Sequence, residues 1–252
     1  MNLQALKLEF LLQQADTNLI LSHRLGEWCG IAPELEIDMA LANIGLDLLG
    51  EARNLYQYAG ELEGKGQTED DFAYLREERE YKNLLLVERP NNGFDATITR
   101  QFLYDHFHVL LLKKLAESKD QQISAIAKKS QKEAQYHLRF STGWMVRLGD
   151  GTELSHRKVQ NAMNELWSYS HEMFSPSDDE IALIEAGEIP DLRDLKAEWL
   201  ANVQATLNEA TLIMPESPYF HFGGKTGRHS EHLGYILAEL QYMQRTYPNQ
   251  QW

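Results

Sequence analysis

Apolar residues recur every three or four positions along most of this chain, and the strict alternation that is typical of β-strands is nearly absent. The clearest stretch lies near the N-terminus, where the recurring apolar positions are Ile37, Leu41, Ile44, Leu48, Ala52 and Leu55. The seven prolines lie between such stretches, as expected if they separate helices and do not interrupt them. The pattern predicts an all-α protein.

Helix-breaking residues divide the chain into long predicted helices. The four that we expect to form a bundle span 3–28, 34–60, 95–117 and 121–148. Further helices are predicted at 155–174, 191–213 and 230–246. Asp95 and Asp120 are the predicted N-caps of the third and fourth bundle helices, because a carboxylate can accept hydrogen bonds from the free N–H groups of a first turn.

The connections between these helices differ in length. Short turns near 30–33 and 118–120 join two pairs of helices as antiparallel hairpins, and an irregular connector at 64–93, with a short helix near 69–80, separates the pairs. A long connector between two hairpins is typical of the ferritin-like four-helix bundle. We therefore predict a single ferritin-like domain over residues 1–252, with the last three helices added to the bundle. Another all-helical fold is the alternative.

Four acids occupy the positions at which ferritin-like proteins hold two metal ions. In that arrangement two helices each contribute a Glu and the other two each contribute Glu-x-x-His. Counting outward from each turn places Asp105 opposite Glu133, and Asp16 opposite Asp47. All four also fall on inward-facing stripes, where a carboxylate is costly unless it is paired. We expect the acids to pair with cations or with a bound ion.

The two histidines that this pattern requires are missing. Gly50 stands three residues after Asp47, and Tyr136 stands three residues after Glu133. We therefore predict a vestigial, metal-free set of positions with no catalytic or cofactor-binding residue in the chain. That set is Asp16, Asp47, Gly50, Asp105, Glu133 and Tyr136.

Two other histidines lie near this set. His137 comes one residue late, about 100° further round the helix. His108 stands three residues after Asp105, on a helix where the pattern requires only a carboxylate. One alternative is a working di-iron oxygenase or oxidase with a non-standard set of ligands, namely Asp47, Asp105, Glu133, His108 and His137. The other is that these acids belong to scattered polar networks and never converge.

The charge and cysteine content restrict the classes of partner. The formal net charge is -14 and the sequence pI is about 5.1, and such an acidic surface repels nucleic acid and anionic membranes. A protein partner with a basic face is compatible with this acidic surface.

Cys29 is the one cysteine, so no intrachain disulfide can form, and it is expected to be buried beside Trp28. No signal peptide and no membrane span are predicted, so we expect a cytoplasmic protein.

A glycine-rich loop at 223–232 carries the most conspicuous cluster of basic residues. Gly224-Lys225-Thr226 suggests a phosphate-binding loop, but that signature requires a glycine at position 219, where this chain has tyrosine. One interpretation is a contact with another subunit or with the phosphates of a CoA ligand, and the other is a helix-entry loop with a structural salt bridge. The residues concerned are Lys225, Arg228, His229 and His232. A non-enzymatic binder of acyl-CoA is thus a third functional hypothesis.

The predicted helix at 155–174 carries a cluster of large apolar side chains. Its members are Met163, Leu166, Trp167, Met173 and Phe174. Core packing is the first interpretation, and an inter-subunit face is the second, because Met and aromatic residues are enriched at interfaces.

Several long and unusual blocks of sequence resemble the C-subunit family of phenylacetyl-CoA epoxidase, also called phenylacetate-CoA oxygenase. The blocks span nearly the whole chain in order. They are LSHRLGEWCG at 21–30, APELEID at 32–38, LANIGLDLLG at 41–50, NLLLVE at 83–88, KEA at 132–134, YHLRFS at 136–141, GGK at 223–225, EHLG at 231–234 and QQW at 250–252.

The resemblance implies a place in a multicomponent monooxygenase of aerobic phenylacetate degradation. That enzyme inserts one oxygen atom of O₂ into the ring of phenylacetyl-CoA and yields the 1,2-epoxide. Its catalytic A subunit is a ferritin-like relative that holds the di-iron site, and the C subunit is structural. The small B subunit and a reductase with FAD and an iron–sulfur centre complete the system. The resemblance therefore implies that this chain holds no cofactor. A homodimer is compatible with it for the isolated chain.

Overall fold

The computed structural model describes residues 2–248 and 250, and it contains helices but no β-strand among them. The all-α prediction is confirmed. The α-helices are α1 (Leu3–Gly26), α2 (Leu35–Glu63), α3 (Glu69–Tyr74), α4 (Leu85–Glu88), α5 (Phe94–Leu115), α6 (Gln121–Gly149), α7 (Glu153–Leu166), α8 (Asp178–Glu185), α9 (Leu195–Glu209), α10 (Glu231–Leu240) and α11 (Tyr242–Thr246). Short 3₁₀ helices span Glu78–Glu80, Trp167–Phe174, Leu192–Asp194 and Gly224–Thr226.

The chain divides into two compact units. The first combines the residues up to Glu88 with those from Gly223 onwards, and the second is Arg89–Phe222. The single domain expected over 1–252 stays a prediction. The last two residues of the block at 250–252 lie outside the described residues.

The first unit is built on the hairpin of α1 and α2. Its turn is closed by Gly30, which has a φ of 82° and donates its N–H to the Asp38 carboxylate at 2.7 Å. A glycine favours such a turn because an L side chain is strained at positive φ. Cys29 lies in this turn and is exposed, so the expectation that it is buried was wrong. Burial follows the helix faces, and the turn offers no core for the thiol to enter.

The second unit is built on the hairpin of α5 and α6. Asp120 caps α6 as predicted, since its carboxylate accepts from the backbone N–H groups of Gln122 at 3.0 Å and Ile123 at 3.2 Å. The N-cap of α5 is Gly93 and not Asp95, which lies inside the first turn of that helix. That part of the prediction was wrong by two residues.

A cluster of aromatic side chains forms much of the rest of the second core. The indole of Trp199 donates to the carbonyl oxygen of Leu103 at 3.0 Å and stacks on Trp167, with 5.4 Å between ring centroids. The five large apolar residues noted at 155–174 are all buried in the chain, so core packing is the correct interpretation and the inter-subunit face is wrong.

Two of the later predicted helices are interrupted in the structure. The helix expected at 155–174 is α-helical only to Leu166 and continues as a 3₁₀ helix, in which the Ser170 hydroxyl bonds to the carbonyl oxygen of Trp167 at 2.8 Å. The helix expected at 230–246 breaks at Gln241, whose side-chain amide donates to the carbonyl oxygen of Arg76 at 3.0 Å. Among the described residues, no helix is long and apolar enough to cross a membrane.

Candidate functional site

The carboxylate of Asp16 lies at the centre of a buried polar network in the first unit. Asp16 has no exposed surface. It accepts from the Tyr56 hydroxyl at 2.5 Å, from the backbone N–H of Lys82 at 2.7 Å, and from two nitrogens of the Arg76 guanidinium. Both carboxylate oxygens are therefore engaged by donors. For Asp16, the expected pairing with a cation is confirmed, and the cation is Arg76.

Arg76 is itself held on several sides. Its Nε donates to the carbonyl oxygen of Phe72 at 2.7 Å, and another nitrogen donates to the carbonyl oxygen of Glu80 at 3.0 Å. The guanidinium also lies over the ring of Tyr81, 4.4 Å from its centroid. Burial lowers the pKa of Arg76, but the charge and hydrogen bond of Asp16, together with Tyr56 and Tyr81, outweigh it and the pKa is raised. The result is a buried and charged Arg–Asp pair.

Asp47 and Gly50, two of the predicted vestigial positions, are less buried than Asp16. Asp47 is only half-buried on α2, and a Cβ added at Gly50 would meet no atom from another part of the chain within 4 Å. The buried acid of α2 is Glu51, which the sequence analysis missed. The burial of Glu51 could have been predicted from the sequence, because Glu51 falls seven residues after Ile44 on the apolar face of that helix.

Asp105 occupies a second buried network, in the second unit. Its carboxylate is 1% exposed and accepts from the Gln101 side-chain amide at 2.6 Å and from the Ser141 hydroxyl at 2.8 Å. Burial raises the pKa of Asp105 to about 7, although the bonds from Ser141 and Gln101 and the charge of His108 lower it in part. Asp105 is therefore a carboxyl group close to half-protonation at neutral pH, with neutral hydrogen-bond partners.

The partner of Asp105 on α6 is Ser141, eight residues beyond Glu133. Eight residues correspond to about 12 Å along a helix. Glu133 is half-buried, Tyr136 is exposed and His137 is buried. Among residues 2–248 and 250, the His, Cys, Asp and Glu side chains form no group of three or more that could hold a metal ion.

The glycine-rich loop lies directly on a neighbouring stretch of backbone in the first unit. A Cβ at Gly224 would overlap the carbonyl oxygen of Asn83, and a Cβ at Gly227 would overlap that of Arg79. Glycine at both positions allows this close approach. Lys225 is buried, whereas Arg228 is exposed. The contact with another subunit or with CoA stays a prediction.

His229 anchors this loop through a buried ion pair with Glu88. Its Nδ1 lies 2.6 Å from a Glu88 oxygen, its Nε2 lies 2.8 Å from the carbonyl oxygen of Tyr81, and neither ionised side chain is exposed. Both neighbours are acceptors, so both ring nitrogens carry a proton when Glu88 is ionised. Burial lowers the pKa of His229, but the hydrogen bond and the charge of Glu88 outweigh it and the pKa is raised.

The carboxylate of Glu88 links three parts of the first unit. Besides His229, it accepts from the Asn83 amide at 3.1 Å, and from the backbone N–H and the hydroxyl of Ser230 at 2.9 Å and 2.5 Å. Ser230 is the N-cap of α10, so Glu88 fixes the start of that helix. The guanidinium of Arg24 holds the carbonyl oxygen of Glu88 at 2.6 Å. The interpretation as a helix-entry loop with a salt bridge fits these contacts.

Because the pKa of His229 is higher in the folded than in the unfolded protein, its stabilising effect is complete below pH 6.5 and is lost as the pH rises through the folded value. Between pH 6.5 and the folded pKa, we expect the free energy of unfolding of the native chain to fall. In His229→Phe, the contribution of His229 to this fall should be absent. Urea unfolding at a series of pH values measures it. Glu88→Gln is the control, since it also removes the charge that raises the pKa. If the free energies of unfolding of the native chain and of His229→Phe change in parallel above pH 6.5, the pKa of His229 is not raised in the folded protein.

The helical fold and the family to which the chain belongs define an all-α protein of the ferritin-like class. The chain belongs to the phenylacetic acid catabolic protein family, whose model matches residues 2–252. It is 55% identical to the C subunit of the 1,2-phenylacetyl-CoA epoxidase of Escherichia coli (strain K12), over 243 residues that cover 96% of this chain and 98% of that protein. The ferritin-like fold and the family resemblance predicted from the sequence are thereby confirmed.

Several residues of these networks were missed by the sequence analysis. They are Tyr56, Arg76, Glu88, Gln101 and Ser141. Glu88 had a signal, because it ends the apolar run Leu84-Leu85-Leu86-Val87. Arg76 had none, since it is one of several charged residues in the irregular connector and nothing in the sequence marks it as buried.

Proposed function

We propose that this chain is the C subunit of a 1,2-phenylacetyl-CoA epoxidase of phenylacetate catabolism, and that its role is structural, in support of the catalytic subunit. The observation that carries the proposal is that donors of the protein itself engage the carboxylate of Asp16. Its carboxylate is bound on both oxygens by Arg76, Tyr56 and a backbone N–H, and not left available to a metal ion. The 55% identity to the C subunit of the Escherichia coli enzyme supports the assignment to this assembly.

A metal ion at Asp16 would have to displace a guanidinium. That displacement would leave Arg76 charged, buried and unpaired, which is strongly unfavourable. Asp105 does not fit a di-iron site either, because its carboxylate accepts from Gln101 and Ser141, and the described His, Cys, Asp and Glu side chains form no group of three or more around it that could hold a metal ion.

The partners follow from the same proposal. The oxygen-activating di-iron centre would belong to the catalytic A subunit, while the small B subunit and a reductase with FAD and an iron–sulfur centre complete the enzyme. The chain would act in the cytoplasm, as predicted from the sequence. Self-association of the isolated chain remains a prediction.

The test is anaerobic loading with Fe(II) followed by elemental analysis of the desalted chain, with the catalytic subunit loaded in parallel as the positive control. We expect less than roughly 0.1 iron atoms per chain, because the ligand set is incomplete. We also expect that adding this chain to the catalytic subunit raises its epoxidase activity or its thermal stability. About two iron atoms per chain, with a reducible centre, would overturn the proposal and favour a self-sufficient di-iron oxygenase.

A further inference from the structure

One side of α2, together with Ile31 in the turn before it, presents large apolar side chains to solvent. Its members, with their exposed fractions, are Ile31 at 72%, Leu35 at 72%, Met39 at 58%, Leu46 at 64% and Leu49 at 41%. We call these five residues the outer stripe. Isolated exposed hydrophobic residues are common on protein surfaces, but a continuous row of them is not.

The spacing makes the outer stripe a continuous surface. At 100° per residue, its four helical members, from Leu35 to Leu49, lie within about 40° of one line along α2. They extend over about 21 Å of helix. The buried residues Ile37, Leu41 and Leu48 lie on the opposite side, so the core of the first unit leaves the outer stripe uncovered.

The area of the outer stripe is that of a protein interface. The exposed fractions correspond to ~600 Å² of accessible surface, at the upper end of the range for the largest apolar patch on a monomer. A standard protein–protein interface buries ~800 Å² on each partner, so this stripe would form most of the apolar centre of one.

The charge around the outer stripe selects the kind of partner. From Glu34 to Glu63 the chain carries seven acids and one base. The acids are Glu34, Glu36, Asp38, Asp47, Glu51, Glu61 and Glu63, and of these Glu51 is buried on the core side. The base, Arg53, already forms an ion pair with Glu69 at 3.0 Å. A second copy of α2 would bring acid against acid in either orientation, which opposes association.

We infer that the outer stripe is the surface on which a different subunit docks, one that presents an apolar helix face bordered by lysine or arginine. This inference rests on the proposed function, under which that subunit is the catalytic one. The aliphatic side chains would form the buried centre of the interface, and the acids around them, other than the buried Glu51, its polar rim.

The test measures binding of the catalytic subunit to the full chain and to two variants. Leu46→Glu places a charge in the middle of the outer stripe. Leu154→Glu is the matched control, because Leu154 is also an exposed leucine of an α-helix, on α7 in the second unit. Both substitutions are at the surface, so equal thermal melting by circular dichroism verifies that both variants fold.

We expect Leu46→Glu to weaken binding by roughly 30-fold or more, as for a central interface residue, and Leu154→Glu to leave it unchanged. Binding of the native chain should also weaken as salt is added, because the rim is charged.

Native-strength binding of Leu46→Glu would overturn the inference and leave the proposed function standing. Failure of the native chain to bind would overturn the proposed function itself. Loss of self-association alone in Leu46→Glu, by analytical ultracentrifugation, would identify a second copy as the occupant and overturn the inference.

Discussion

Replacing Arg76 with alanine is expected to destabilise the protein by about 3–5 kcal/mol, because it leaves the carboxylate of Asp16 charged and buried without its cation. The loss is larger than for an ordinary hydrogen bond. Arg76 also donates to the carbonyl oxygens of Phe72 and Glu80, and it packs on the ring of Tyr81. Urea unfolding followed by circular dichroism gives the change in the free energy of unfolding.

The matched control for Arg76→Ala is Arg193→Ala. Arg193 also pairs with an aspartate, Asp191, at 2.7 Å, but its side chain is 58% exposed. Water can replace an exposed ion pair, so we expect no measurable change in the unfolding midpoint. If Arg76→Ala unfolds at the same denaturant concentration as the native chain, Asp16 does not depend on Arg76. In that case a metal ion could bind Asp16 without displacing a stabilising guanidinium.

Replacing Asp105 with asparagine is expected to stabilise the protein at about pH 8 by up to ~4 kcal/mol, which is three pKa units at 1.36 kcal/mol each. The pKa of Asp105 rises from its ordinary 3.8 to about 7 in the folded protein, because burial disfavours its charge. Between these values the folded state binds the proton and the unfolded state does not. The free energy of unfolding of the native chain therefore falls as the pH rises from about 4 to about 7.

Asparagine has the same shape as aspartate and no charge to bury. Its carbonyl oxygen can still accept from Gln101, and its amide can donate to the Ser141 hydroxyl. The difference between Asp105→Asn and the native chain should be small near pH 4 and grow to pH 7. Asp178→Asn, at an exposed position, is the control and should not change the slope. Destabilisation by Asp105→Asn at pH 8 would instead contradict the raised pKa of Asp105.

Helical periodicity was enough to predict the long helices, because it reports which face of each segment is apolar. The hairpin turns could also be read locally, and Asp120 caps α6 as expected. The long connector between the two hairpins predicted the ferritin-like fold, and the family blocks agreed with it. Prediction failed where a distant contact decides the local structure, as at Gln241, whose amide bonds to the carbonyl oxygen of Arg76 and accompanies a break between α10 and α11.

The sequence could also predict that the inward acids need partners, but not which ones. Counting from the turn placed Asp105 opposite Glu133, whereas its contact on α6 is Ser141. Such a count assumes ideal register, and in a packed hairpin the register is set by how side chains interlock along the whole length of both helices.

The sequence by itself determined the all-α fold, the two hairpins and the family, because these depend on periodicity, turn residues and local blocks of residues. Only the tertiary structure decided what each buried acid binds. The cation of Asp16 comes from sixty residues further along the chain, and that of Glu88 from a histidine 141 residues away. Pairing at such separations depends on which segments pack together, because a buried charge is stable only where folding brings an opposite charge or enough hydrogen-bond donors to it.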